Sequence, residues 1–445
     1  MNRETGYVPP EARELKNIAE LDEDGGREIA GLESKTEHFS HLEENVDYHF
    51  TKVNDAVHSA RSLQDFLIFI NPSGGTEERI IHAPHWRSST KDGVHSSLSV
   101  RTIENGKWTT HEEPFYCVNT KGVGYLKPTL KGENIENYDV WTKPDEPEHS
   151  FGYKMLGLSS KKEYETGDIM AKSRMLIEEG LRTETYWAIA RLDGVYFKGD
   201  KVSVDELRQK EVIIKRKDYH PYMGVRLLKT NDRIEEARYA ESRRQEIFEH
   251  AFEIYNQENH DTDQNARDLA IEKTDDQKEF FKRFFIRMGE NIAVLLNTGY
   301  FHFRLHSSNI TLAAEIVDIG TMSHWTEGRN DPAFSKEYNG VRRAHLKDMR
   351  DMIRGLKKLR AAAKAAGLKT GESEELQVAL LNGFDRKLGT KKVSSVQETD
   401  PVNARKWLEG IFRAVIIEGK KLPALLNDDT EDYSKIEKTW DIKID

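Results

Sequence analysis

Residues 316–320 read Ile-Val-Asp318-Ile-Gly320, an apolar pair that predicts a short strand delivering a carboxylate next to a glycine turn. Asn309 stands nine residues before Asp318, directly after Ser308. A carboxylate and an amide oxygen brought together are hard donors suited to a divalent cation that also holds phosphates. Ser308 places a hydroxyl near such a metal, but serine is no base without help. Lys121-Gly122-Val123-Gly124 follows a strand-like stretch, and glycines beside a lysine let backbone N–H groups and an ammonium approach phosphate. The plainer reading of that segment is a Gly-x-Gly turn between strands, and Lys127 and Lys154 are rival phosphate lysines. Arg226 and Arg233, seven residues apart, can clamp phosphate oxygens bidentately, or can form ordinary ion pairs such as Arg233 with Glu236. His302 reads as a structural histidine whose ring bonds to backbone, while His306, like Ser308, stays a candidate for the chemistry.

These residues need a scaffold. Residues 1–60 are polar and read as an N-terminal extension. Residues 61–225 carry short apolar or alternating runs, such as 66–70 and 97–103, punctuated by turn residues, of which Asn105-Gly106 is a strong hairpin signal. Proline, Gly and Asn between 131 and 150 predict a long loop. A helix is predicted from an N-cap at Ser159-Ser160 to Glu179, closed by Gly180, with further strands at 186–192, 212–214 and 223–228. Residues 226–445 turn helical, with a pattern over 234–296 broken at the polar stretch 256–263 and a further helix over 341–366. The expected fold is therefore α+β, with a β-rich N-lobe and an α-helical C-lobe.

Composition bounds the function. The chain has 445 residues, 37% hydrophobic and 32% charged, with 18 Phe, 16 Tyr and 7 Trp, enough to build a sizeable core. No run approaches a membrane span and the polar, acidic start lacks the features of a signal peptide, so the expected setting is cytoplasmic with no membrane partner. A single cysteine, Cys117, excludes a disulfide framework and a cysteine zinc cluster, and reads as a small filler in a strand. A net charge of −10 argues against general nucleic-acid binding.

The spacing from His302 to Asn309 and on to Asp318-Ile319-Gly320 resembles the protein-kinase pattern His-Arg-Asp-Leu-x-x-x-Asn followed by Asp-x-Gly, in which Asn and the later Asp hold metal and the earlier Asp is the base. Arg304 stands where that base belongs. Taken in order, Lys121-Gly-x-Gly124, Ser159-Ser160-x-x-Glu163, Gly180-Leu-x-Thr183, Arg226 with Arg233, His302 with Asn309 and Asp318-x-Gly320, and Asp331-Pro-x-Phe334 resemble the selenoprotein O family of pseudokinases. The likeness covers roughly residues 115–350. It implies a protein-kinase-like two-lobed fold that binds ATP in a flipped orientation and transfers AMP to Ser, Thr or Tyr hydroxyls of proteins, with Mg²⁺ or Mn²⁺. By that resemblance Lys121 and Glu163 pair on the phosphates, Arg226 and Arg233 hold the distal phosphate, and Asn309 and Asp318 bind the metal. Three departures stand out: Ser308 replaces the family's Asp before the metal-binding Asn, a longer stretch after Glu163 makes Asp168 a rival carboxylate, and the chain's last residues carry no cysteine. The alternatives are a nucleotide-binding scaffold, which Ser308 favours, and a kinase-like phosphotransferase.

Overall fold

A computed structural model describes residues 46–53, 57–58, 85–89, 96–104, 107–121, 168–197, 200–209, 222–239, 241, 244–324, 341–388 and 401–413. Gly122, Gly124, Lys127, Lys154, Ser159, Ser160, Glu163, Asp331 and Phe334, and the strands expected at 66–70 and 212–214, lie outside the described residues. The chain divides into two compact units, residues 1–175 with 184–231 and residues 176–183 with 232–445.

The first unit is built from antiparallel strands. Strand β1 (Val46–Val53), β2 (Val57–His58), β3 (His85–Ser89), β4 (Ser96–Glu104), β5 (Lys107–Phe115) and β6 (Cys117–Lys121) precede helix α1 (Asp168–Glu178). Glu104 pairs with Lys107, and the Asn105-Gly106 turn expected between them lies outside the described residues. Strand β2 extends that hairpin through β4. After α1 come β7 (Thr185–Phe197), β8 (Asp200–Ser203), α2 (Val204–Gln209) and β9 (Tyr222–Leu228). The larger sheet runs β1-β7-β9-β6-β3, with β8 beside β7. Cys117, Tyr186 and Ile189 are fully buried on it, which places the cysteine in a strand core, and Phe115 and Tyr116, where β5 passes into β6, are equally buried. Where α1 ends, Gly180 adopts φ 92°, a left-handed conformation that glycine reaches without strain, and the N–H groups of Gly180 and Leu181 bond back to Ile177 and Leu176 at 2.8 and 2.9 Å.

The second unit is mainly helical: α3 (Ile234–Tyr239), α4 (Arg244–Thr262), α5 (Thr274–Thr298), α6 (Val341–Ala365), α7 (Ser373–Leu388) and α8 (Pro401–Phe412). The helical break falls at 263–273, after the polar stretch in which it is expected, because α4 continues to Thr262. Asn256 explains the difference. Its side chain donates to Leu269 O at 3.0 Å and accepts from Leu269 N at 2.9 Å, so this polar residue pins the following connection and leaves its own helix intact. Helices α5 and α7 cross at two glycines. A Cβ on Gly289 would lie 2.0 Å from Leu380 O, and one on Gly383 would lie 2.0 Å from Ile286 O, so hydrogen is the largest group that fits at either place.

Candidate functional site

Strand β10 (Tyr300–Phe301) follows α5 after a left-handed Gly299 and pairs with β11 (Ser323–His324), Tyr300 opposite His324 and Phe301 opposite Ser323. That pairing closes a loop over residues 302–322. Inside it, Ile310 bridges Ile316, and Val317 N–H bonds to Asn309 O at 3.0 Å, which brings Asn309 and Asp318 onto adjoining segments. Helix α5 holds the far end of the loop through Asn291, whose Nδ2 donates to Ala314 O at 2.7 Å and whose Oδ1 accepts from Arg182 N at 2.9 Å.

The loop backbone is unusual for its sequence. Phe303, Ala314 and Asp318 have φ of 62°, 61° and 66°, a conformation that side chains other than glycine adopt at a cost of about 1 kcal/mol or more each. Asp318 is the residue for which this matters. The left-handed backbone turns the chain at the end of the buried Ile316-Val317 pair, just before a 3₁₀ turn at Ile319–Thr321, and leaves the carboxylate residue partly solvent-accessible. Its partner is equally specific. Asn309 Nδ2 donates to Arg304 O at 2.9 Å, which commits the amide nitrogen and leaves Oδ1 as the acceptor or ligand atom.

Beneath these residues the loop is pinned by buried polar groups. His302 is fully buried, its Nε2–H donating to Val317 O at 2.7 Å while Nδ1 accepts from Arg304 N at 3.3 Å, a neutral tautomer fixed from both sides. Its own backbone N–H donates to Asp348 Oδ2 on α6 at 2.7 Å. Burial raises the Asp348 carboxyl to about 7, against the opposing N–H bonds from His302 and Phe303, and nearby Asp351 pushes the same way. His345, one turn earlier on α6 and packed on Phe301, is pushed down to about 3 by burial and is neutral. On the other flank, Ser307 Oγ donates to Glu235 on α3, and Lys358 on α6 donates to Glu235 Oε2 at 2.9 Å and to Ser307 Oγ at 3.0 Å. Gly355 makes room for that packing, since a Cβ there would press on Ile310 at 3.3 Å.

The expected site residues fall into two groups. Arg233 joins Ser308, Asn309 and Asp318: its segment bridges Thr311, Ile234 N–H bonds to Ile310 O at 3.1 Å, and its guanidinium donates to Ser308 O at 2.6 Å. Its backbone N–H reaches Glu236 at 3.4 Å, a helix-capping contact. Lys121 and Arg226 instead share the β6–β9 pairing of the first unit, Lys121 opposite Gly224 and Asn119 opposite Arg226. The Arg226 guanidinium is fully buried and bonded at 2.7 Å to an equally buried Glu184 carboxylate. Asp168 opens α1. No family model matches the chain, and no curated protein matches its sequence. Ser308 Oγ makes no hydrogen bond among the described residues, whereas the neighbouring Ser307 is held by two charged side chains.

No three His, Cys, Asp or Glu residues gather at ligand distance among the described residues, and no described helix is long and apolar enough to cross a membrane. Mg²⁺ commonly takes one or two protein oxygens and completes its shell with substrate phosphates and water, and Asn309 Oδ1 with the Asp318 carboxylate offers donors of that kind. Asp348, Glu235, Ser307, Lys358 and Asn291 are absent from the sequence-level candidates. One signal was available for Asp348: it and His345 share the helical stripe of Met349, Met352, Ile353 and Leu356, and a carboxylate at a core phase demands a partner.

Proposed function

We propose that this chain is an ATP-dependent protein adenylyltransferase of pseudokinase type, on a kinase-like two-lobed fold, with Asn309 and Asp318 holding Mg²⁺ or Mn²⁺ on the nucleotide phosphates. The observation that carries the reading is the strained, left-handed Asp318 set beside an Asn309 whose amide nitrogen is already committed. Backbone strain persists where the surroundings over-determine it, and functional sites are where it clusters. The ordered resemblance to the selenoprotein O family supplies the direction of the chemistry. A protein hydroxyl would attack the α-phosphorus, forming an O–P bond and releasing pyrophosphate, with the hydroxyl proton passing to solvent or a neighbouring base. The divalent ion, when bound, would offset phosphate charge during the transfer.

Of the two expected arginines, Arg233 is the one set beside this loop, with its guanidinium on Ser308 O, and it would hold the distal phosphate as the resemblance implies. For Arg226 the same role requires the guanidinium to leave Glu184, a costly exchange for a buried pair. Lys121, with Glu163 or Asp168, would pair on the phosphates as the resemblance implies. A scaffold that binds nucleotide without turning it over is the second reading, favoured by a Ser308 hydroxyl with no base within hydrogen-bond reach among the described residues. Kinase-like phosphotransfer is weakened by an arginine, Arg304, at the base position.

Incubation with ATP labelled separately at the α- and γ-phosphates separates these readings. Label from α on protein is the expected result. Label from γ alone means phosphorylation, and bound, unconsumed ATP means a scaffold; either overturns the proposal.

A further inference from the structure

Helix α6 departs sharply from the charge of the chain that contains it. Its 25 residues carry nine Lys or Arg and two Asp, whereas the whole protein is net −10. The cations are not spread evenly. Lys347, Arg350, Arg354 and Lys358 follow one another at helical spacing along a single stripe, adjacent to the face that Gly355 packs against Ser307 and Ile310. Asp351 takes Arg350 at 2.9 Å and Arg354 at 3.8 Å, one carboxylate between two guanidiniums.

The loop adds to this charge. Arg304 is exposed, and its guanidinium makes no hydrogen bond or ion pair among the described residues. Burial lowers the Lys347 pKa against the nearby Asp351 and Asp348 carboxylates, and the Arg350 and Arg304 cations within electrostatic range push the same way as burial. Arg354 is lowered likewise, by burial and then by Arg350. His306, on the loop between Arg304 and Ser308, reaches solvent, yet the protein packed around its ring lowers its pKa despite the nearby Asp351, Glu235 and Asp318. Like charges assembled at the edge of a loop are held against their mutual repulsion, and a focused positive rim raises the local concentration of anionic partners.

We propose that Arg304 with Lys347 and Arg354 of α6, backed by the buried Arg350–Asp351 pair, form a docking surface for an acidic segment of a protein substrate, selecting acceptor hydroxyls that lie close to Asp and Glu side chains. The occupant is argued from charge complementarity: the rim is cationic and Arg304 adjoins Asn309, whose amide bonds to its carbonyl, whereas the chain as a whole carries a net charge of −10. The proposal rests on the adenylyltransferase reading for its substrate role, but the binding itself does not require turnover. It also gives Arg304 a purpose at a position where it cannot be a base.

The test uses the full chain and fluorescence anisotropy without nucleotide, with a short fluorescein-labelled peptide that flanks Tyr and Ser with Glu and Asp. A matched peptide with Gln for every acid and a single-stranded oligonucleotide are the other probes. The acidic peptide is expected to bind best, with affinity falling as salt rises. The Arg304→Glu/Arg354→Glu double variant should bind it roughly tenfold more weakly, since each exposed contact is worth a few-fold and reversal adds repulsion. Lys282→Glu, an equal change of charge on α5, should leave binding as it is, and the neutral Arg304→Gln/Arg354→Gln pair should fall between the two, which guards against misfolding of the reversal. Equal binding of the Gln peptide, or an equal effect of Lys282→Glu, overturns the surface. Tighter binding of the oligonucleotide, lost in the same variants, overturns the peptide in favour of nucleic acid. AMP transfer is scored separately on the same peptides. Acidic-peptide binding with no α-label on any peptide supports the surface and refutes the adenylyltransferase reading, while equal labelling of acidic and Gln peptides refutes the selection and leaves that reading standing.

Discussion

Replacing Asp348 with asparagine isolates a buried proton beneath the 302–322 loop. Asp348 is almost fully buried, and Oδ2 accepts the His302 N–H at 2.7 Å while Oδ1 has no hydrogen-bond partner among the described residues. Its carboxyl is raised by burial from 3.8 to about 7. The native state therefore holds more protons than the unfolded state between those values, and the slope of stability with pH is negative there. The stabilisation by this proton is complete below about pH 4 and disappears as pH rises through about 7. A shift of this size corresponds to roughly 4 kcal/mol at most, at about 1.4 kcal/mol per unit. The introduced amide would keep an acceptor for the loop N–H and does not titrate, so Asp348→Asn should gain on the natural protein by roughly 2–4 kcal/mol between about pH 5 and pH 8. The neighbouring His345, lowered from 6.5 to about 3, contributes the opposite slope: its stabilisation is present above pH 6.5 and lost as pH falls toward 3. That contribution is common to both proteins and cancels in the difference. Urea unfolding of the pair across this pH range gives the difference curve directly. A flat curve would refute the reasoning, because it would mean that native Asp348 gives up its proton as readily as an exposed carboxylate.

The remaining predictions test the site and its supports. Asp318→Ala is expected to abolish metal-dependent ATP binding with the circular dichroism spectrum unchanged, and titration of Mn²⁺ with ATP present checks it. Arg226→Ala should destabilise the first unit by about 3–5 kcal/mol by stranding the Glu184 carboxylate, while Arg226→Met with Glu184→Met should be close to neutral in chemical denaturation. Gly289→Ala should lower stability by about 3 kcal/mol or more, read from the melting temperature, because the obstruction at 2.0 Å is backbone of α7 and cannot rotate away. Ser308→Asp should raise α-label incorporation by up to ~10²-fold if a missing base limits the rate; a fall in labelling would place the base elsewhere.

What was readable in the chain, and what was not, divides along a physical line. Features set by neighbours in sequence were legible. The hairpin expected around Asn105-Gly106 is present as β4 paired with β5 out to Glu104 and Lys107, and the apolar spacing after Val341 predicts α6 to within a residue of its observed end at Ala365. The adjacency of Asn309 and Asp318 was legible for the same reason, since the intervening residues fold back through the Ile310–Ile316 bridge. Features set by distant partners were not. Nothing near Arg226 announces Glu184, 42 positions earlier, so an arginine that spacing alone offers to a phosphate is, in the structure, a buried half of an ion pair. Nothing near Ser307 announces Lys358 or Glu235, 51 and 72 positions away, although those side chains brace the residue next to the candidate base position. The division bears on how the site is argued. A loop motif names the atoms that face a ligand, but whether they can hold it depends on groups such as Asp348 and Asn291, which fix the loop through its backbone N–H and C=O groups and leave no mark in the motif itself. In this protein, polar side chains at core phases of α5 and α6 were the sequence signal for those supports. A buried Asp or Asn on an apolar helical stripe has to be satisfied by something, and here that something is the strained loop carrying Asn309 and Asp318.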